Sequence, residues 1–221
     1  MNTDLILNSH LFKGCNKDEL DNIFNHLDFK IKTYIKSDVI LSQGNTTSEL
    51  GFVMSGSVRI ENVDFSGNMT VLSIVSKGGV FAESYALVKN EPLLINAIAN
   101  ENCEVIFIDV NKLFCPCTHC TSRHIIIENL LHISAKKNME LSKRNLHIGY
   151  KTIRERLLSY LSYQSLVNKS LSFTIPFNRQ QLADYLNLDR SALSKELGKM
   201  KRDGILEYKK NYFNLSNNVI R

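Results

Sequence analysis

Three hydrophobic periods follow one another along the chain. In residues 4–28 the apolar positions Leu5, Leu7, Phe12, Leu20, Ile23, Phe24 and Leu27 fall at helical spacing and are interrupted at Lys13-Gly14. Asp18 and Glu19 stand where the first turn of a second short helix favours acids. From Ile31 to Val110 the period shortens. Runs rich in β-branched and aromatic residues cover 31–35, 39–41, 51–54, 57–63, 70–75, 95–99 and 104–110, and glycines at 44, 56, 67 and 78 separate several of them at intervals of 12, 11 and 11 residues. Short strands at such regular spacing predict an antiparallel sandwich or roll, with Ser66-Gly67-Asn68 as a hairpin turn. Near Thr121 the period becomes helical again. Ile125, Ile126, Leu130, Ile133, Lys137, Leu141 and Arg144 share one stripe of a long amphipathic helix over 122–147. That stripe either pairs with a second copy or packs on its own β-domain, and self-pairing is preferred because a two-fold DNA site needs a dimer.

Beyond a hinge at Gly149-Tyr150, apolar Ile153, Leu157, Leu158 and Leu161 predict a helix over 152–164, and Leu171–Ile175 reads as a strand that stops at Pro176. The segment Asn178–Arg202, NRQQLADYLNLDRSALSKELGKMKR, carries more information. Asn178 and Gln181 form a reciprocal N-cap pair. Leu182, Ala183 and Leu186 give one short helix an apolar face. Asp189 caps the next helix, in which Leu193, Leu197 and Met200 recur at i, i+4 and i+7. Two such helices across a tight break make a helix-turn-helix. The second helix places Arg190 at its N-terminal end, with Ser191, Ser194 and Lys195 on the face away from the apolar row. An α-helix fits the DNA major groove, and Arg190 can donate bidentately to a guanine. The N-terminus of this second helix also offers free backbone N–H groups to a phosphate, and Arg179 and Gln180, which open the first helix, are further candidate DNA contacts. Leu206–Tyr208, a turn at Lys209-Lys210-Asn211 and Tyr212–Leu215 then form a hairpin with a basic tip, a wing for the phosphate backbone.

Charge supports this reading. Residues 1–142 hold 12 basic and 16 acidic side chains, a balance of −4, whereas residues 143–221 hold 15 and 6, a balance of +9. A basic C-terminal third on an acidic body is the footprint of a polyanion-binding module, or else a solvated basic surface; the helix pair and wing decide for DNA. The apolar fraction of 43% and charged fraction of 22% are those of a globular domain. No apolar run approaches the ~20 residues of a membrane span, and MNTDLILNSHLF is no signal peptide, so the expected compartment is the cytoplasm. Metal-dependent enzymes built on β-rolls need histidines on inner strands, and none occurs between His26 and His119. Gly-x-Ser-x-Gly, phosphate-loop and His-Glu-x-x-His motifs are also absent, so the chain is not expected to be an enzyme. Cys115, Cys117, His119, Cys120 and His124 crowd into FCPCTHCTSRH just before the long helix. Three readings stay open there: reduced cysteines in a loop, a metal, haem or iron–sulfur site, and a thiol–disulfide switch.

With RQQLADYLNLDRSALSKELGKMKRDGIL at one end and the glycine-spaced strands with GGVFAESYAL at Gly78–Leu87 at the other, the chain resembles the Crp/Fnr family of bacterial transcription regulators over nearly its whole length. The resemblance implies an α+β architecture in three parts. These are a cyclic-nucleotide-binding-like antiparallel β-roll (1–120), a dimerisation helix (121–148) and a winged helix-turn-helix (149–221). It implies a homodimer on a palindromic duplex, with RNA polymerase as a candidate partner and no membrane association. The family's recognition helix often carries Arg-Glu-x-x-x-Arg; the matching positions here are Arg190, Ser191 and Lys195, so the preferred site differs. GGVFAESYAL is similar to the family's phosphate-binding cassette. Phe81, Ala82, Glu83 and Ser84 occupy its core, but Leu93 and Leu94 stand where nucleotide-binding members carry Arg-Ser. A buried phosphate without a cation is penalised, so cyclic AMP is not the expected effector and Glu83 is expected to be structural. Members with an iron–sulfur cluster use several N-terminal cysteines; only Cys15 lies there.

Overall fold

The computed structural model describes residues 3–27, 29–88, 90–114 and 123–216, and the chain divides into two compact units, 1–136 and 137–221. The first opens with helices α1 (Thr3–Leu7) and α2 (Lys17–Leu27). Strands β1 (Lys30–Tyr34), β2 (Val39–Leu41), β3 (Glu49–Ser55), β4 (Ser57–Val63), β5 (Met69–Ser76) and β6 (Val80–Phe81) follow. After these come α3 (Glu83–Leu87), β7 (Asn96–Ala99), β8 (Cys103–Asp109), α4 (Val110–Leu113) and the long helix α5 (Arg123–Ile148), which continues into the second unit.

All pairings are antiparallel and build two four-stranded sheets, in the orders β1-β8-β3-β6 and β2-β7-β4-β5. Val53, Val105 and Phe107 of the first sheet and Val58, Ala97 and Ala99 of the second share a core between the sheets, the expected roll. The other face of the first sheet carries Phe52, Ile106 and Ile108, which pack with Phe12, Leu20 and Ile23 from the N-terminal segment. This explains why β3 reads as an unbroken apolar run: it is buried on both faces. The β4–β5 turn is the expected hairpin, with Gly67 at φ 82° and the Asp64 carboxylate accepting from the backbone of Ser66 and Asn68. Gly56 is a positional requirement: at φ 70° it turns β3 into β4, and a Cβ there would lie 2.3 Å from the Asn102 carbonyl oxygen.

The long helix departs from expectation in one respect. Ile126 and Leu130 of the anticipated self-pairing stripe are buried in the core of their own unit, with Ile133 against it, and Asn129 donates to the Leu11 and Lys13 carbonyls. That stripe therefore packs at home in the N-terminal half of α5. Among the described residues, the apolar positions left exposed on α5 are Leu141, from the same stripe, and Leu131, Ala135, Met139 and Leu146, which lie outside it. The periodicity was real, but the helix carries apolar residues on two sides, and a single stripe cannot reveal which side meets which surface.

The second unit follows the end of α5 with α6 (Ile153–Asn168), β9 (Ser172–Thr174), α7 (Arg179–Tyr185), α8 (Arg190–Arg202), β10 (Leu206–Lys209) and β11 (Tyr212–Leu215). Thr152 and Glu155 close a reciprocal cap on α6. The three strands form a sheet in the order β10-β11-β9. One core joins Leu157, Tyr160 and Leu161 of α6, Leu182, Ala183 and Leu186 of the α7 segment, Leu193, Leu197 and Met200 of α8, and Phe173 and Phe213 of the sheet.

Candidate nucleic-acid interface

The caps read from sequence are in place. The Asn178 Oδ1 accepts from the Gln181 N–H at 3.0 Å and the Gln181 side chain accepts from the Asn178 N–H at 2.8 Å. Asp189 Oδ1 accepts from the Ala192 N–H at 2.9 Å. The Ser191 hydroxyl also donates to Asp189. These two hydrogen bonds, the hydroxyl's first, hold the Asp189 carboxyl below its ordinary range. Ser191 thus offers a ligand its lone pairs, because its proton is used inside the protein.

With Leu193, Leu197 and Met200 fixed in the core, the opposite face of α8 is forced outward. Ser191 and Lys195 are exposed on that face and Ser194 at its flank, while Arg190, on the side of the core row, is exposed because it is the first residue of the helix. On α6, α8 and the wing, some basic residues are paired with carboxylates and others are not. Arg154 bridges Glu196 (2.6 Å) and Asp203 (2.7 Å), Lys199 lies 3.6 Å from Glu196, and Lys201 pairs with Glu207 at 2.5 Å. Arg190, Lys195, Arg202, Lys209 and Lys210 are exposed, and their side chains have no partner among the described residues. Five free cations thus lie on the second helix and the wing, where their charges remain available to an anion; Lys151 and Lys169 are exposed elsewhere in the unit.

One expected contact is committed elsewhere and a second is engaged only in part. Arg179 is half-buried. Its guanidinium donates to the Lys210 carbonyl at 3.0 Å and lies 5.1 Å from the Tyr208 ring centre and 5.7 Å from that of Phe213. Burial lowers its pKa from the ordinary guanidinium value. Arg179 thus braces the wing tip, where Lys210 adopts φ 54° and Asn211 is bonded to Ile175 through both its carbonyl and its side chain. Gln180 is exposed, with its amide nitrogen donating to Asp184 at 2.8 Å.

In the first unit, Phe81 ends β6 with its ring packed on Gly51, where a Cβ would come within 2.2 Å of it. Ala82 takes the left-handed conformation, φ 59°, ahead of α3, Glu83 is buried and Ser84 is exposed. Leu93 is buried, its N–H and C=O bonded to Asn45 and Gly44, whereas Leu94 is exposed. The two positions expected from the sequence to match a phosphate-binding pair therefore supply one core residue and one surface apolar residue. Of the cysteine segment, Cys115, Cys117, His119 and Cys120 lie outside the described residues; His124 is exposed on the first turn of α5. Among the described residues, no three His, Cys, Asp or Glu side chains gather as a metal site. Burial and the neighbouring Glu19 push the Cys15 thiol up to about 11, and burial likewise raises Cys103, so neither is poised as a thiolate ligand.

Residues 31–114 match the cyclic nucleotide-binding domain family and residues 155–217 the Crp-like helix-turn-helix domain family. The transcriptional activator protein FnrL of Cereibacter sphaeroides is 31% identical over 70 residues, 28% of each chain, so the match spans little more than a quarter of that relative. The anaerobic regulatory protein of Pasteurella multocida is 21% identical over 210 residues, 92% of this chain and 74% of its own. Among solved structures, OCPA-complexed CprK superimposes with a TM-score of 0.62 at 16% identity, covering 89% of this chain and 92% of that one; at this identity the likeness is one of fold.

Proposed function

The chain belongs to the Crp/Fnr family of transcription regulators, and on that premise we propose that it reads a two-fold duplex DNA site as a homodimer through the outward face of α8. The observation that carries this reading is the pair Arg190 and Lys195, exposed and, among the described residues, unpartnered, the first at the N-terminal end of α8 and the second on the face away from its core row. Arg190, in the first turn, is the base reader, with a guanine's O6 and N7 as its fitting acceptors. Lys195 reaches a base acceptor or a phosphate as a point charge. Ser194 donates, Ser191 accepts, and Lys209, Lys210 and the exposed Gln180 hold the sugar-phosphate backbone and set the register. Arg179 acts through the wing it braces.

Two copies meet along α5, on the side bearing Leu131, Ala135, Met139 and Leu146 rather than on the stripe that packs at home. Two α8 helices about 34 Å apart then enter successive major grooves. The roll, or the segment from Cys115 to His124, is the proposed sensor. Cyclic AMP is disfavoured as its signal because positions 93 and 94 provide no cation for a cyclic phosphate. Thiolate and imidazole donors at Cys115, Cys117, His119, Cys120 and His124 suit zinc, iron, haem or a cluster, and suit a thiol switch equally. The compartment is that of the DNA, the cytoplasm, with RNA polymerase as a further partner and no catalytic role.

The test is binding of the full chain to duplexes at several salt concentrations. A regulator binds random duplex with an affinity that falls steeply with salt, and it enriches a two-fold symmetric sequence from a randomised pool. Failure to bind any duplex at low salt would end the assignment. Elemental analysis with an absorption spectrum on anaerobically purified protein separates the metal and haem readings from a colourless, metal-free thiol segment.

A further inference from the structure

Helix α7 is only seven residues long, and the position of α8 depends on how α7 ends. The last four carbonyls of any helix lack intrahelical partners. Here the chain reverses at Asn187, which has φ 52°. The Leu188 N–H returns to the Ala183 carbonyl (2.9 Å) and the Asn187 N–H to that of Asp184 (3.3 Å), a Schellman closure with asparagine in the left-handed position. No backbone donor reaches the carbonyls of Tyr185, Leu186 and Asn187 among the described residues.

Two arginines from other elements fill that deficit. Arg144, on the last turns of α5, donates Nε to the Tyr185 carbonyl (2.9 Å) and Nη2 to that of Asp184 (3.0 Å), with its guanidinium 5.9 Å from the Tyr185 ring centre. Arg156, on the first turn of α6, donates Nη1 to the Leu186 (3.3 Å) and Asn187 (3.2 Å) carbonyls and Nε to the Tyr150 carbonyl (2.8 Å) in the α5–α6 connection. Both side chains are half-buried. A planar fork can meet two carbonyls at once, which an ammonium cannot, and a cation is favoured at a helix C-terminus.

We infer that Arg144 and Arg156 are positioning residues for DNA reading: a two-arginine cap ties the last turns of α5, and the connection after it, to the turn of the helix-turn-helix. This rests on the DNA-reading function proposed above. Along the backbone, α5 is separated from α8 by the Gly149–Thr152 connection, α6, β9 and α7. Through Arg144 it is one side chain away from the turn that launches α8, with Asp189 and Arg190 only four and five residues after Tyr185. A shift of the end of α5 therefore reaches Arg190 directly and is not absorbed at Gly149. The donors that Arg144 uses on carbonyls are also withheld from phosphate.

The test uses the full chain with Arg144→Lys, Arg144→Gln and Arg156→Lys. The probes are a duplex selected from a randomised pool by the wild-type protein and a scrambled duplex of the same length. The ratio of the two affinities is expected to fall about tenfold in each variant, the scale of losing charge-assisted hydrogen bonds, with the slope of log affinity against log salt unchanged. Amide exchange is expected to quicken over residues 185–192 while β9–β11 keep their protection. A slope reduced by about 1 with an unchanged ratio would make the arginine a phosphate contact and overturn the cap. Unchanged ratio and unchanged exchange would overturn it as well. Should the wild-type protein bind neither duplex, the DNA-reading function has failed rather than the cap, and the exchange measurement alone decides the cap.

Discussion

Arg190→Ala separates base reading from mere attraction to DNA. Arg190 is the first residue of α8, exposed and without a partner among the described residues, and the cap on that helix is the neighbouring Asp189, whose bonds run to Ala192 and Ser191. Truncation therefore removes no internal contact, and surface changes of this kind stay within about 0.5 kcal/mol of wild-type stability. A bidentate arginine–guanine pair contributes about 1–3 kcal/mol of discrimination, roughly 5- to 150-fold at one base pair in each half-site. The salt slope should change little, because its main contributors are phosphate contacts. Lys209→Ala and Lys210→Ala should behave oppositely, each weakening all duplexes alike and lowering the slope by about 0.9. Fluorescence anisotropy on the selected duplex, and on versions with each base pair replaced, reads both quantities. The reasoning is refuted if Arg190→Ala leaves the ranking of sequences intact and instead reduces the slope as a lysine on the wing would.

Leu197→Ala should cost about 2–5 kcal/mol, since Leu197 is fully buried between α8 and the rest of its unit; thermal unfolding measures it, and DNA binding should fall with it. His147 is buried, bonded to Ser159 at 2.8 Å and ringed by Tyr160, Tyr163 and Tyr185, and burial lowers its pKa. The folded state therefore takes up its proton at lower pH than the unfolded chain, so this contribution is full above about 6.5, the unfolded value, and is lost as pH falls below it; a melting temperature with no such drop, or a drop that survives His147→Phe, would contradict this. Leu93→Arg should destabilise the roll without conferring cyclic AMP binding, because position 93 is buried core; melting and titration calorimetry report the two outcomes. Leu131→Asp with Leu146→Asp should shift the chain toward monomer by light scattering, as these side chains are 69% and 70% exposed in one copy, whereas an unchanged dimer would place the seam elsewhere.

The sequence was most legible where a local rule sets the structure. Asn178 with Gln181, and Asp189 with Ala192, are caps between residues three apart, and a short window contains everything needed to read them. The row Leu193, Leu197, Met200 implies an outward face for Ser191 and Lys195, and the Asp189 cap puts Arg190 in the open first turn, without any knowledge of the rest of the fold. Gly56 and Gly67 marked their turns because left-handed backbone restricts the residue type. Legibility failed where the partner is distant in sequence. The helix α3 after Phe81 was seen only as a stretch resembling a cassette, because five residues carry no readable period. Ile126 and Leu130 looked like a dimer seam because periodicity shows that a face is apolar, not what covers it.

The arginines show the same limit at the site. Arg179 and Arg190 are alike in composition and in their place in the first turn of a short helix. Only the fold shows that the first is folded back on Tyr208, Phe213 and the Lys210 carbonyl while the second is free. Arg144 reads in the sequence only as the end of the long helix's stripe, and nothing local marks Arg156; the turn at Asn187 is what places unsatisfied carbonyls in front of them. The +9 balance of residues 143–221 is therefore not one surface property. Part of it neutralises Glu196, Asp203 and Glu207, part caps α7 and braces the wing, Lys151 and Lys169 lie exposed on other parts of the unit, and Arg190, Lys195, Arg202, Lys209 and Lys210 are the free charges that a duplex on α8 and the wing would meet. A small count of free cations on a rigid, well-capped helix favours discrimination over bulk affinity, since each exposed charge adds to binding on every sequence whereas only a fixed guanidinium tells one base from another.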